Sequence, residues 1–174
     1  QGTPIRGILP ELENNVVDLG RQMKLGRLED LRPGEFGIVL GIDLARSLGA
    51  SMGSKITVIA PQGQVTPAGI LPRLKQFTVV GVFEAGMSVY DAGLALVHMD
   101  DAAKLYRMED KVSGVRLKIK DLYLAPRVSR ELAASLPGDY FVRDWTQQNA
   151  NFFRAVQMEK TVMFVIMFFI VAVA

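Results

Sequence analysis

The side chains that most often perform chemistry in proteins are sparse in this sequence. It contains one histidine, His98, and no cysteine. His98 lies in the apolar stretch LALVHMDD, directly before Asp100 and Asp101. A zinc site without cysteine or a second histidine would depend on carboxylates alone, which is unusual. We therefore interpret His98 as a polar residue at the end of a strand, and the two aspartates as the cap and the first-turn acid of the next helix.

Nucleophiles and phosphate-binding loops are also missing from the pattern. Ser47, Ser51 and Ser54 lie near no histidine along the chain, and the motif G-x-S-x-G is absent. The stretch GASMGSK at 49–55 differs in spacing and order from the phosphate loop G-x-x-x-x-G-K-[ST]. The sequence therefore predicts no catalytic residue, no metal site and no cofactor, and its function is to be sought in binding.

One segment has a composition typical of a binding loop. Residues 61–72, PQGQVTPAGILP, contain three prolines and two glycines, so we expect no regular element there. Strands predicted at 55–60 and 76–83 enter and leave it, which makes it the tip of an elongated hairpin. Because proline reduces the entropy lost on binding, we interpret the tip as a docking hook; the alternative is a loop folded back onto its own domain. Its apolar side chains are Val65, Ile70 and Leu71, and Arg73 and Lys75 place positive charge at its base.

The elements around this loop indicate an α+β fold in three parts. A β-rich insertion subdomain occupies 1–112, with the projecting hook loop at 61–77. A small and incomplete α/β subdomain follows at 113–146, as a strand–helix–strand unit, and a junction helix at 147–174 runs into the apolar end. The predicted strands are 36–40, 55–60, 76–83, 92–99, 114–119 and 140–142, and the predicted helices are 13–23, 42–48, 100–107 and 125–135.

Charge and composition exclude some functions. Twenty lysines and arginines face eighteen aspartates and glutamates, so the surface is balanced and gives no support for a nucleic-acid partner. The apolar content of 49% is typical of a globular chain.

The C-terminal end indicates a membrane helix. Residues 162–174, VMFVIMFFIVAVA, carry no charge or strong polar group and leave no polar face for solvent. A spanning helix needs about 20 apolar residues, so we expect a piece of a longer protein that ends inside such a helix; the alternative is a buried core helix. Just before it, Phe152, Phe153 and Val156 lie at helical spacing. They either pack against the domain or line an entry path for a lipidated substrate.

Several ordered motifs resemble the permeases of lipoprotein-releasing (Lol) ABC transporters. Residues 35–58, EFGIVLGIDLARSLGASMGSKITV, are similar to the core of the MacB-like periplasmic domain, with Ser54 where aspartate is common. Further matches to the lipoprotein-releasing type cover nearly the whole chain, at 66–91, 93–108, 140–160 and 170–174. The resemblance implies the periplasmic domain of a carrier-recruiting, LolC-like permease or of a merged LolC/LolE-type permease, at the periplasmic face of the Gram-negative inner membrane.

The resemblance also implies partners and a site. In this branch of the family the hook inserts into a periplasmic lipoprotein carrier (LolA-like). Other implied partners are a second permease chain (LolE-like or a copy of this one), cytoplasmic ATPase subunits (LolD-like) that hydrolyse ATP, and the lipoprotein substrate. The matching hook residues are Pro61, Val65, Thr66, Pro67, Gly69, Ile70, Leu71, Pro72, Arg73, Lys75 and Phe77.

Other functions remain open at this point. Within the superfamily they are a MacB-type efflux permease, a permease that binds lipoprotein rather than the carrier, and a relative that activates cell-wall hydrolases. From another class, an anchored periplasmic enzyme would need a polar cluster in a cleft, for which the sequence offers no candidate.

Overall fold

The computed structural model describes residues 2–66, 69–138 and 140–173. These residues form two compact units, one up to Lys118 and the other from Ile119 onward.

The first unit is built on a mixed sheet. Its strands are β1 (Ile5–Ile8), β2 (Met23–Gly26), β3 (Gly37–Gly41), β4 (Lys55–Thr66), β5 (Gly69–Phe83) and β6 (Ala95–His98). Its helices are α1 (Pro10–Val16), α2 (Ile42–Ser47), α3 (Ser88–Asp91) and α4 (Met99–Tyr106), with short 3-10 turns at Gly20–Gln22 and Leu28–Asp30.

The strands are ordered β1-β6-β3-β5-β2, and β4 pairs with β5 beside this path. β1 runs parallel to β6 and β3 parallel to β5, whereas β3 and β6, β2 and β5, and β4 and β5 are antiparallel. β3 and β6 are buried at every position, as their central places in the sheet require. This burial explains why both strands read as continuous apolar runs rather than as alternating patterns.

Two apolar clusters lie on opposite faces of this sheet. Because successive side chains of a strand point to opposite faces, Ile38 and Leu40 enter one cluster and Val39 enters the other. The first cluster is closed by α2 and α4, through residues such as Leu44 and Leu105. The second is closed by the segment between β1 and β3, through residues such as Leu19, Leu28 and Leu31.

Most predicted elements of this unit are confirmed, with shifted ends. The strand predicted at 36–40 is β3, the helix at 42–48 is α2, and the strand at 92–99 is β6 in a shorter form. The helix predicted at 13–23 is wrong in extent, since α1 covers Pro10–Val16 and only a 3-10 turn follows. The expectation that Asp100 caps α4 is also wrong: His98 is the N-cap, and its Nδ1 accepts a hydrogen bond from the Asp100 backbone N–H at 3.2 Å.

The second unit is helical among the residues that are described. It contains a 3-10 turn (Leu122–Leu124), α5 (Ala125–Ser135), α6 (Trp145–Gln148) and α7 (Ala150–Val173). The helix predicted at 125–135 is therefore confirmed. The strand predicted at 140–142 is wrong, because these residues pair with no strand and Phe141 is 90% exposed.

The strand predicted at 114–119 does not form either. Val115 and Leu117 alternate with basic residues as in a half-buried strand, yet both are exposed. A strand requires a hydrogen-bonding neighbour, and none of the described strands lies beside this segment. The segment is instead attached to α1 by an ion pair between Arg116 and the buried Glu13.

α7 has the length and composition of a membrane-spanning helix. Residues Ala150–Ala172 form 23 residues of helix that are long and apolar enough to cross a membrane, and their most apolar stretch is not buried within the protein. Large side chains along it, among them Phe164, Phe168 and Ile170, are more than 60% exposed. The alternative of a buried core helix is therefore wrong for the described residues of α7.

Candidate functional site

The β4–β5 hairpin projects from the sheet. From Thr78 to Phe83, β5 pairs with β3 on one side. Before Thr78, from Gly69 to Phe77, its described pairing is with β4 alone. The hairpin is therefore a two-stranded ribbon that continues after the sheet has ended.

This ribbon corrects the expectation of an irregular loop at 61–72. The ladder runs regularly up to Ala60 opposite Arg73, then shifts and resumes with Gln64 opposite Leu71. Four steps along β4 therefore match two steps along β5, which leaves two extra residues on β4. Both strand prolines, Pro61 and Pro72, lie at this irregularity, where the ladder does not need their missing N–H groups. Such a bulge bends the strand and increases its twist.

The structure describes the side chains of only some of the predicted hook residues. Pro67 lies outside the described residues. The side chains of Pro61, Val65, Thr66, Ile70 and Leu71 are outside them too, as is the surface environment of Gly69, although their backbones belong to β4 and β5. Pro72 and Lys75 are exposed.

Arg73 and Phe77 are less accessible than a docking role predicts. Arg73 is half-buried, and its Nε has no hydrogen-bond partner among the described residues. Phe77 is 0% exposed and belongs to the larger apolar cluster. Its assignment to the docking surface is therefore corrected: Phe77 holds the base of the hairpin in the core.

Strand alternation accounts for these positions. Arg73, Lys75 and Phe77 share one face of β5. On the same face, the buried Ala60 and Val58 of β4 are the cross-strand neighbours of Arg73 and Lys75. The other face carries Ile59 and Leu74, which are directly opposite each other and are 64% and 59% exposed. Sequence reasoning missed this apolar pair, although its alternation with inward-facing residues on strands 55–60 and 73–77 was a signal for it.

The polar residues of α4 and of the turn after α2 serve the fold. Asp101 is fully buried and accepts hydrogen bonds from the backbone N–H groups of Gly34 (2.8 Å) and Phe36 (3.0 Å). Ser51 and Ser54 bond to each other within an exposed turn at 3.2 Å. Among the described residues, no group of three or more acidic or histidine side chains is placed to hold a metal ion.

The junction at the start of α7 is tied together by aromatic and polar contacts. The Trp145 ring lies 5.2 Å from that of Phe153, and its Nε1–H donates to the Leu122 carbonyl at 3.1 Å. Asp144 caps α6, accepting from the N–H groups of Thr146 (2.8 Å) and Gln147 (3.1 Å). The hydrogen bond from the Thr146 hydroxyl is the largest of several that lower the pKa of Asp144.

The three residues predicted to line a lipid path differ in how far these contacts bury them. Phe153 packs edge-on against Trp145, and Val156 is half-buried. Phe152 is 65% exposed, with its ring 5.7 Å from that of Phe153. Phe153 therefore packs within its own unit, and the lipid path stays a prediction, for which Phe152 offers an exposed apolar surface.

Comparison with known proteins agrees with this architecture. Residues 3–135 match the family model described as the MacB-like periplasmic core domain, and the chain belongs to this family. Within it, the chain resembles the lipoprotein-releasing system transmembrane protein LolC. It is 50% identical to LolC of Neisseria meningitidis over 100% of the chain, and 46% identical to LolC of Xylella fastidiosa over 99%. LolE of Haemophilus influenzae is 22% identical over 98%.

These relatives are much longer than the chain, which spans 42% of the Neisseria LolC, 41% of the Xylella LolC and 41% of the Haemophilus LolE. The family and the helix α7 place the domain at the periplasmic face of the inner membrane, as the sequence predicted. The MacB-like fold class is confirmed in the same way.

Proposed function

We propose that this domain belongs to a lipoprotein-releasing ABC permease and docks the periplasmic lipoprotein carrier through its β4–β5 hairpin. The observation that carries the proposal is the ribbon itself, which continues beyond the sheet with β4 and β5 paired only to each other. A ribbon that pairs with no further strand leaves its outer face exposed, and preorganised elements of this kind are well suited to binding.

The chemistry of the ribbon supports a partner with an apolar cleft and acidic groups near it. The exposed pair Ile59 and Leu74 supplies apolar surface along one face of the described part. Lys55 and Lys75 line the groove at its base together with one acid, Glu35, so the groove carries a net positive charge. The tip residues Val65, Ile70 and Leu71 would extend the apolar surface into the carrier.

The remaining partners follow from the same proposal. The domain is a non-catalytic part of a permease that pairs with a second permease chain and with cytoplasmic ATPase subunits, which supply the energy. The lipoprotein would pass close to the exposed Phe152 at the start of α7. The higher identity to the two LolC proteins than to LolE favours the carrier-recruiting type over the lipoprotein-binding type.

Calorimetric titration of this chain in detergent micelles with the lipoprotein carrier of the same organism tests the proposal. We expect saturable binding that is lost when Thr66 to Arg73 are replaced by a Gly-Ser linker of equal length. A matched control is Met52→Ser, since Met52 is an exposed apolar residue in the turn after α2 and lies outside the hairpin. This control should bind as the unchanged chain does.

Two outcomes would contradict the proposal. Absence of binding by a folded chain would point to the lipoprotein-binding permease type or to an efflux relative. Equal loss in the linker variant and in Met52→Ser would show that binding does not depend on the hairpin.

A further inference from the structure

The backbone beside the base of the hairpin adopts a conformation that bulky residues rarely take. Phe36 has a φ of +52°, in the left-handed region. Its backbone N–H and that of Gly34 both donate to the carboxylate of Asp101, at 3.0 and 2.8 Å. Its carbonyl accepts from the Thr78 N–H at 2.9 Å. Because Asp101 is 0% exposed, water does not compete for these bonds.

This conformation directs the Phe36 ring into the hairpin. The ring meets that of Phe77 edge-on, with centroids 5.5 Å apart. The Lys75 Nζ lies 3.8 Å from the ring centroid, which is cation–π geometry. Lys75 and Phe77 are opposite Val58 and Ile56, the last pairs of the ribbon before β5 enters the sheet at Thr78. The ring therefore lies at the point where the ribbon leaves the domain.

We propose that Phe36, held in its strained conformation by Asp101, is a positioning residue that fixes the direction of the β4–β5 hairpin. The proposal rests on the proposed function only in taking the hairpin as the docking element. Beyond Phe77 the described ribbon has no flanking strand, so its direction depends on contacts at its base. The ring provides two of them at once, to the inward-facing Phe77 and to Lys75.

The location of the strain supports this role. Left-handed backbone at a bulky residue persists only where surrounding contacts enforce it, and such residues concentrate at functional sites. Here the two bonds to Asp101 enforce it, and Asp101 touches neither Lys75 nor the tip in any contact described. Asp101 thus acts on the hairpin through Phe36, which makes it a second positioning residue.

The absence of cysteine from the chain allows a direct test of hairpin direction. Spin labels are attached to Leu48→Cys, an exposed site after α2, and to Gln64→Cys, beyond the bulge. Pulsed electron spin resonance of the full chain in detergent micelles then gives the distribution of distances between the labels. We expect Phe36→Leu to broaden this distribution and Phe36→Tyr, which keeps the ring, to leave it unchanged. Asp101→Asn should broaden it as well.

A matched control separates positioning from general destabilisation. Leu28→Ala removes a fully buried side chain from the other apolar cluster. It should lower the melting temperature at least as much as Phe36→Leu does, without broadening the distribution. Equal widths for Phe36→Leu and the unchanged chain would overturn the proposal, and so would broadening in Leu28→Ala.

Carrier binding provides the second measurement. Phe36→Leu should weaken affinity about three- to tenfold, because one or two more side chains must be ordered on binding, and Phe36→Tyr should restore it. The label distances require no carrier. If Phe36→Leu broadens the distribution while the unchanged chain binds no carrier, the docking function fails and the positioning role stands.

Discussion

Arg73, Lys75 and Phe77 share one face of β5. That face is the inner one, since Arg73 and Lys75 pair across the strands with Ala60 and Val58, which are buried on the same face. Burial does not follow position along this face, since Arg73 is half-buried, Lys75 is exposed and Phe77 is fully enclosed. Because both faces of this strand carry apolar and polar residues, the sequence pattern alone does not distinguish the buried Phe77 from the exposed Leu74.

The burial of Phe77 leads to a prediction about stability. Phe77→Ala should lower the free energy of unfolding by about 3–5 kcal/mol, the usual cost of emptying a buried phenylalanine site. Chemical denaturation of the chain, followed by circular dichroism, measures this. Leu74→Ala is the matched control, since Leu74 is three residues away on the same strand and 59% exposed. It should change stability by about 0.5 kcal/mol or less. Similar losses in the two variants would contradict the inward placement of Phe77.

Asp144 leads to a prediction about pH. Its pKa is lowered in the folded chain, chiefly by the hydroxyl of Thr146. A lowered pKa means that its stabilising contribution is present above about pH 4, where aspartate ionises in unfolded chains, and is lost as pH falls through the lower folded-state pKa. The stability difference between the unchanged chain and Asp144→Asn should therefore shrink as pH falls from 7 to below 4.

Trp145, the single tryptophan, reports this change locally. It follows Asp144 directly and packs on Phe153, so its fluorescence during denaturant titration follows the junction at the start of α7. Titrations at pH 7 and pH 3 give the two differences to compare. An equal difference at both pH values would show that ionisation of Asp144 does not stabilise the junction.

At the scale of elements, the helices and strands that the sequence predicts correctly are those specified by residues within the element itself. α5 agrees with its predicted range because proline near its first turn and leucine–alanine periodicity define a helix without distant partners. The strands expected at 114–119 and 140–142 rest on apolar residues of high strand propensity, which show that a strand is possible but not that a neighbour exists. The expectation of an irregular loop at 61–72 was wrong in the opposite direction, since strands form there. Proline density argued against strands, yet a bulge at Pro61 and Pro72 removes the conflict.

The bulge leads to a prediction about the hairpin. Deleting Gln62 and Gly63 removes the two extra residues of β4. Because two is an even number, all remaining side chains of the strand keep the face they had. We expect the deletion to leave the melting temperature close to that of the unchanged chain, since the deleted residues lie beyond the core. The deletion should weaken carrier binding, because a ribbon that has lost the bend and twist of its bulge directs its tip elsewhere.

Calorimetric titration with the carrier measures the effect of the deletion. The matched control is Gln62→Ser with Gly63→Ser, which keeps both residues and therefore the bulge. If the deletion bound the carrier as tightly as this control, the direction given by the bulge would have no part in docking.

At the scale of the whole molecule, the proposed docking element and the membrane helix belong to different units. The hairpin is part of the unit that ends at Lys118, whereas α7 belongs to the unit that starts at Ile119. A domain that is docked at one element and anchored at another can hold a soluble carrier near the membrane. The division predicts that the two activities can be impaired separately by single substitutions.

Met167→Arg tests this separation from the membrane side. Met167 is 67% exposed, in the apolar part of α7. An arginine at the centre of a spanning helix costs about 2.5–3.5 kcal/mol on insertion scales, so the variant should be extracted from membranes at alkaline pH, whereas the control Met167→Leu should remain. Carrier affinity of both variants, measured in detergent micelles, should equal that of the unchanged chain because the hairpin is untouched. Retention of Met167→Arg in the membrane fraction would show that α7 is not the anchor. A parallel loss of carrier affinity would show that the two units are coupled, and then transmission between the membrane helix and the hairpin would have to be part of the mechanism.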